Sequence, residues 1–210
     1  RQRQMCIRDS HYHTPSFMGM IKAKAGPVTL GLMLVCVVIF ALQQVGFGQA
    51  IFNALHFPAV DGQQWQLWRW LSHAVLHFSV MHIAFNILWW WQLGGNIEKK
   101  LGSLKLLQIF AVSSALSGAG QYWVEGANFG GLSGVVYALV GYLWVVGAKA
   151  PQLGLGIPRQ IVGFMLVWLV LGYMQPFMAI ANTAHLAGLA AGVIIGWIDA
   201  MKAPSSARSE

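Results

Sequence analysis

Apolar residues run almost unbroken through six stretches of this chain, at about 28–46, 79–95, 103–124, 133–147, 159–175 and 182–200. Each is nearly free of charge and predicts a membrane helix. All seven prolines (15, 27, 58, 151, 158, 176 and 204) fall outside them, at helix ends and in connections where breakers belong. Five further stretches follow the first, so it reads as a retained helix and not as a signal peptide. The longest connection is 47–78. It holds Trp65, Trp68 and Trp70 close together, with Phe57 and Phe78 at either end. Aromatic residues of this kind sit at headgroup level, and a partly helical loop lying in the outer interface is expected.

Composition narrows the class. Of 210 residues, 57% are hydrophobic and only 9% are charged, against about 25% charged in soluble domains. So few charges cannot cover a soluble protein of this size, which excludes a cytosolic enzyme and a disordered chain. The formal net charge of +7 would suggest a nucleic-acid partner, but its distribution gives another reading. Twelve of the thirteen Lys and Arg lie in the two tails and at the second–third and fourth–fifth junctions, and only Arg69 lies on the other side. Loops rich in Lys and Arg stay in the cytoplasm, so both termini are expected there and no nucleic-acid partner is needed. Cys6 and Cys36 make no disulfide framework, and Cys36 reads as a small core residue. The fold class expected is therefore an all-α polytopic membrane protein, a bundle of six transmembrane helices. Residues 1–26 would form a cytoplasmic tail, 27–201 the helical domain and 202–210 a second tail. The opening segment RQRQMCIRDS is assigned no function.

Polar groups inside the spans point to chemistry. The fourth stretch has fifteen residues, which at ~1.5 Å each give ~22 Å, short of the ~30 Å hydrocarbon core. Asn128-Phe129-Gly130-Gly131-Leu132 precedes it and is too glycine-rich for helix. The helix would then begin at Ser133, below the outer surface and facing a wet pocket. Alone, Ser133 reads as readily as a helix cap. His185, near the start of the sixth stretch, changes the balance, because an ionisable residue inside a span is a functional candidate. The second, fourth and sixth stretches all run inward, so Ser133 and His185 can lie at one level. Gly188, Gly192 and Gly196 on one helix, and Gly134, Ala138 and Gly141 on the other, form small faces that permit close packing. A serine becomes a nucleophile when an adjacent base takes its proton. His82 and Asn86, four apart on one face of the second stretch, can donate hydrogen bonds to an oxyanion or join helices as polar glue. His73, His77 and His82 cluster in sequence, yet His73-Ala-Val-Leu-His77 lacks the glutamate of H-E-x-x-H, so no metal or other cofactor is expected. Gly131-Leu132-Ser133-Gly134-Val135 is not G-x-S-x-G, which excludes an α/β-hydrolase.

At this point GGLSGVVYALVGY, AHLAGLAAG and HIAFNILWWWQLGGNIEKKLGS resemble the rhomboid intramembrane serine proteases of the bacterial type, over roughly residues 27 to 200. The resemblance implies a six-helix rhomboid bundle and a serine endopeptidase that cleaves in or near the transmembrane segments of membrane-protein substrates. Its partners would be those substrates and the lipid bilayer, and its place the bacterial inner membrane. Ser133 would be the nucleophile and His185 the general base of a dyad. His82, Asn86 and the Ser133 N–H would form the oxyanion hole, with Gly131 and Leu132 supporting it. Tyr137 would pack on the His185 ring. Trp68-Arg69 matches the W-R pair of the first outer loop. His73, Ser117 and Gln121 match positions thought to hold water, and Phe85, Trp89, Phe164 and Trp168 match the substrate gate. One departure is Glu98-Lys99-Lys100, where the family has E-x-R and Lys cannot repeat a bidentate Arg contact. A non-cleaving relative that binds membrane clients, and a channel, are the competing classes. The intact Ser133, His185, His82 and Asn86 set argues against the first. The gathering of polar groups in the outer half argues against the second.

Overall fold

The computed structural model describes residues 16–174 and 181–205, places helices in each of the six stretches, and contains no strand among the described residues. The order is α1 (Phe17–Ala23), α2 (Pro27–Leu42), α3 (Gly48–Leu55), α4 (Arg69–Ser72), α5 (Val80–Trp89), α6 (Gly95–Leu101), α7 (Ser103–Glu125), α8 (Ser133–Lys149), α9 (Arg159–Met174) and α10 (Asn182–Lys202). Local chemistry sets several boundaries. Pro27 opens α2, where its missing N–H costs nothing. Ser79 Oγ accepts the His82 N–H and starts α5. The first stretch, expected to reach about 46, ends as regular helix at Leu42. A π-type turn spans 43–47, and Gly46, at φ 105°, redirects the chain into α3. The second stretch is longer than expected, because a π-type turn at Trp90–Gly94 joins α5 to α6 and carries the helix to Leu101.

Helix α8 is the hub. Every residue from Gly134 to Leu143 is buried, among Trp90, Leu106, Ile109, Met165 and Ile195. Its most extensive neighbour is α10. In lipid, apolar side chains gain little by meeting one another, so helices join where backbones can approach. A Cβ on Gly188 or Gly192 would collide with the Gly134 or Ala138 carbonyl, and one on Gly141 would sit 2.7 Å from the Leu189 carbonyl oxygen. The small faces read from the sequence are therefore the contact between these two helices.

The surface is apolar, with Leu34, Val35, Val37 and Val38 of α2, Val167, Val170 and Leu171 of α9, and Ile194, Trp197 and Ile198 of α10 all exposed. A soluble monomer does not expose so much. Pro27–Leu55 and Asn182–Lys202 are each long and apolar enough to cross a membrane. Arg69–Val75 with Val80–Leu101 qualifies only as a pair, bent by 107°.

Polar contacts tie the end of the bundle away from Ser133. Glu98 accepts the Val28 and Thr29 N–H groups at 2.8 and 2.9 Å and the Thr29 and Ser103 hydroxyls at 2.7 Å each. It thereby caps α2 from another helix. Lys100, where the family has Arg, donates to the Gly154 carbonyl. Asp199 accepts the Tyr142 hydroxyl at 2.7 Å and pairs with Lys105 at 2.9 Å.

Part of the segment read as the N-terminal tail packs on the bundle: Trp91 Nε1 donates to the Ile21 carbonyl, and Gly95 lies against Lys24 too closely for a Cβ. One expectation is corrected. Phe57 does not face the headgroup layer. It is buried against Trp70, His73, Tyr122 and Phe129, while Trp65, Trp68 and Phe78 do stand exposed. The loop is partly helical, as expected. Arg69 braces it through Gln66 Oε1 and the Asn53 and His56 carbonyls.

Candidate active site

Ser133 is the first residue of α8, and Leu132 caps the helix without a side-chain bond. The serine is thus not a cap, and its hydroxyl is free for another role. The approach to it depends on glycine. Gly131 adopts φ 113°, strained for any side chain, and a Cβ there would lie 2.6 Å from His82 Cε1 and Nε2. Its N–H donates to the His73 carbonyl at 2.9 Å. Immediately after Ser133, Gly134 meets Gly188, which lets α8 and α10 close on each other and brings His185 to the serine. His185 Nε2 lies 2.8 Å from Ser133 Oγ.

That bond sets the chemistry available. If the serine hydroxyl donates, Nε2 is the basic nitrogen and Nδ1 carries the ring proton. Nδ1 is buried and has no hydrogen-bond partner among the described residues. The ring is held by packing. Tyr137 lies stacked on it at 4.7 Å between centroids, and the Tyr137 hydroxyl is anchored on the Met165 carbonyl at 2.8 Å. None of the described acids bonds the imidazole. Asp199 and Glu98 are engaged at the far end, and Asp61 is exposed in the loop. Glu125, expected in a connection, is the last residue of α7 and accepts from Gln121 Nε2 at 3.1 Å.

Two further polar side chains lie on α5. His82 Nδ1 accepts the Phe78 N–H at 3.4 Å, which leaves the proton on Nε2, the nitrogen beside Gly131. Asn86 is almost fully buried, and neither atom of its amide has a partner among the described residues. Buried amides are nearly always paired, so an unpaired one stands out. The first-turn N–H groups of α8 have no intrahelical acceptor and add positive potential.

The other sequence-derived residues fall nearby, with defined partners. His73 Nε2 lies 3.0 and 2.9 Å from the Trp70 and Ser114 carbonyls. Ser117 Oγ donates to Ser114 at 3.3 Å and lies against Gly134. Gln121 Oε1 accepts the Ala184 N–H at 3.1 Å and so ties α7 to the start of the His185 helix. Phe85 stacks on Trp168 at 6.4 Å and meets Trp89 at 6.1 Å, and Phe164 stacks on Trp168 at 6.3 Å, joining α5 to α9. One residue carried no role in the sequence reading beyond the histidine cluster: His77, whose Nε2 accepts the Leu132 N–H at 3.3 Å. It lies four residues after His73, but the backbone is extended at Leu76 between them.

A serine and a histidine in bonding contact near the heads of two membrane-type helices are the hallmark of a serine hydrolase set within a membrane bundle. Residues 64–202 match the Rhomboid domain family, and the chain belongs to that family. It is a serine-type intramembrane endopeptidase. It is 50% identical over 189 residues to the rhomboid protease GlpG of Pectobacterium atrosepticum, covering 90% of this chain and 68% of the relative. The rhomboid protease GlpG of Serratia proteamaculans is 49% identical over 192 residues, covering 91% and 69%. That of Yersinia pestis is 46% identical over 189 residues, covering 90% and 68%.

Proposed function

We propose that Ser133 and His185 act as a catalytic dyad that hydrolyses peptide bonds in or beside transmembrane segments. Ser133 Oγ attacks the scissile carbonyl carbon as its proton passes to His185 Nε2. The oxyanion is met by the His82 Nε2–H, the Asn86 amide and the Ser133 N–H. Loss of such a donor typically costs 10²–10³ in kcat. As the intermediate collapses, the imidazolium returns its proton to the leaving amine and an acyl-serine forms. Water, deprotonated by the same imidazole, then releases the acid and restores Ser133. His73, Ser117 and Gln121 line the side from which that water comes. The substrate helix enters between α5 and α9, past Phe85, Trp89, Phe164 and Trp168.

The domain runs from 27 to 201 and crosses the bacterial inner membrane six times with both termini cytoplasmic. The charge asymmetry supports this, together with the depth of Ser133 behind a non-helical glycine segment. A cysteine at Gln63, in a background free of Cys6 and Cys36, should then react with an impermeant thiol reagent on intact cells, and one at Gln152 should not. The reverse pattern overturns the topology.

The observation that carries the reading is the 2.8 Å contact between Ser133 Oγ and His185 Nε2. Ser133→Ala should abolish cleavage of a labelled transmembrane substrate in detergent while the melting temperature stays near wild type. Cleavage near the wild-type rate would place the nucleophile elsewhere.

A further inference from the structure

The segment 73–77 lies along the glycine segment that leads into α8 and claims two successive N–H groups of it. The Gly131 N–H goes to the His73 carbonyl at 2.9 Å, and the Leu132 N–H goes to the His77 ring at Nε2, 3.3 Å away. Leu76 fills the space beneath Gly130, where a Cβ would lie 2.8 Å from Leu76 Cβ. The next backbone N–H along the chain is that of Ser133.

The His77 ring is completely buried, and its role in this contact fixes its tautomer. Nε2 accepts from an amide, so it carries no proton. The proton is on Nδ1, which faces the Val75 carbonyl at 3.3 Å. The same ring meets the His82 ring edge-on, 4.8 Å between centroids. On its other side, His82 is pressed against Gly131. One neutral imidazole therefore backs two parts of the proposed oxyanion hole: the peptide that orients the Ser133 N–H, and the His82 side chain.

We infer that His77 is a positioning residue for the oxyanion hole, acting through Leu132 and His82 without touching the substrate. The inference rests on the dyad reading above and extends it to a residue that neither composition nor motif singles out for the reaction. Preorganised donors stabilise a transition state because they need not move when charge appears. Without the ring acceptor, the 131–132 peptide is free to turn its N–H elsewhere, since Gly131 tolerates many orientations. The Ser133 N–H would then be less well aimed, and His82 less firmly backed.

Three full-length proteins in detergent test this: wild type, His77→Gln, which offers an oxygen close to the Nε2 position, and His77→Leu, which offers none. Cleavage of one labelled transmembrane substrate is measured for kcat and KM, with melting temperature alongside. The expected result is a kcat lowered about tenfold or more in His77→Leu at unchanged KM, and recovered to within about threefold in His77→Gln. ¹⁵N-histidine spectra of the wild type, assigned with His77→Gln, should show an unprotonated Nε2 on His77. A His77→Leu kcat within twofold of wild type overturns the inference, as does a glutamine variant as impaired as the leucine variant. If the leucine variant does not fold, the tautomer and the glutamine kcat decide, and a protonated Nε2 overturns the inference by itself. Ser133→Ala, run in parallel, separates the two readings. Cleavage by that variant sinks the dyad, whereas undiminished His77 variants beside a dead Ser133→Ala sink only the present inference.

Discussion

The two ends of the helix bundle treat buried polar groups in opposite ways. Around Glu98, two backbone N–H groups and two hydroxyls converge on one carboxylate, and all are paired. Around Ser133, both atoms of the Asn86 amide and the Nδ1 of His185 are buried without partners among the described residues. A buried group left unpaired costs about 1–3 kcal/mol, so such groups persist only where another use outweighs the loss. Paired groups at one end hold α2, α6 and α7 together. Under the proposed dyad mechanism, the unpaired groups at the other end serve charge that appears only during reaction. In a bundle whose helices gain little from apolar contact with one another, the paired end offsets part of the cost of the unpaired one.

Substitutions at the two ends should therefore fail differently. Glu98→Ala strands several donors at the start of α2, and thermal melts should show a loss on the order of 3 kcal/mol, with kcat per folded molecule near wild type. An unchanged melting temperature would mean that the carboxylate is not what holds this end. Asn86→Ala should do the converse. Its kcat should fall about ten- to a hundredfold, because His82 and the backbone share the load, while stability stays level or rises since no bond is lost. Full kcat in this variant would return Asn86 to the role of polar glue. The smallest effects belong to the acids. Asp199→Asn gives up a partly exposed ion pair worth less than about 1 kcal/mol, and Glu125→Gln keeps an acceptor for Gln121. Both should retain most of the single-turnover rate, and a drop comparable to that of His185→Ala would reveal an acid acting on the imidazole.

Much of the site was legible in the linear sequence because the restrictions that produce it are themselves linear. Span direction put Ser133 and His185 at one level, and the four-residue glycine repeat supplied the close contact that joins them. What escaped notice depends on backbone irregularity. The break at Gly46 was missed because the charge-free stretch runs on past Leu42, and Gln43, Gln44 and Gly46 carry no charge to mark it. The same holds for the turn at Trp90–Gly94. Phe57 reads as an interfacial aromatic by its neighbours, yet the loop folds back and buries it on His73. Glu98 looked like a charged helix end, and its partners lie some seventy positions away in sequence at Val28 and Thr29. His77 showed in the sequence only as one of a histidine cluster, and its bond to Leu132 follows from the extended backbone at Leu76.

The account rests on a serine activated by a histidine, and labelling the nucleophile tests it most directly. The full chain in detergent is treated with a fluorophosphonate, which forms an Oγ–P bond as fluoride leaves and the base takes the serine proton. The adduct is then located by mass spectrometry. A single adduct on Ser133 is expected, absent from His185→Ala and formed at an undiminished rate in Asp199→Asn. An adduct on another serine, or labelling of Ser133 at the full rate without His185, would contradict the dyad.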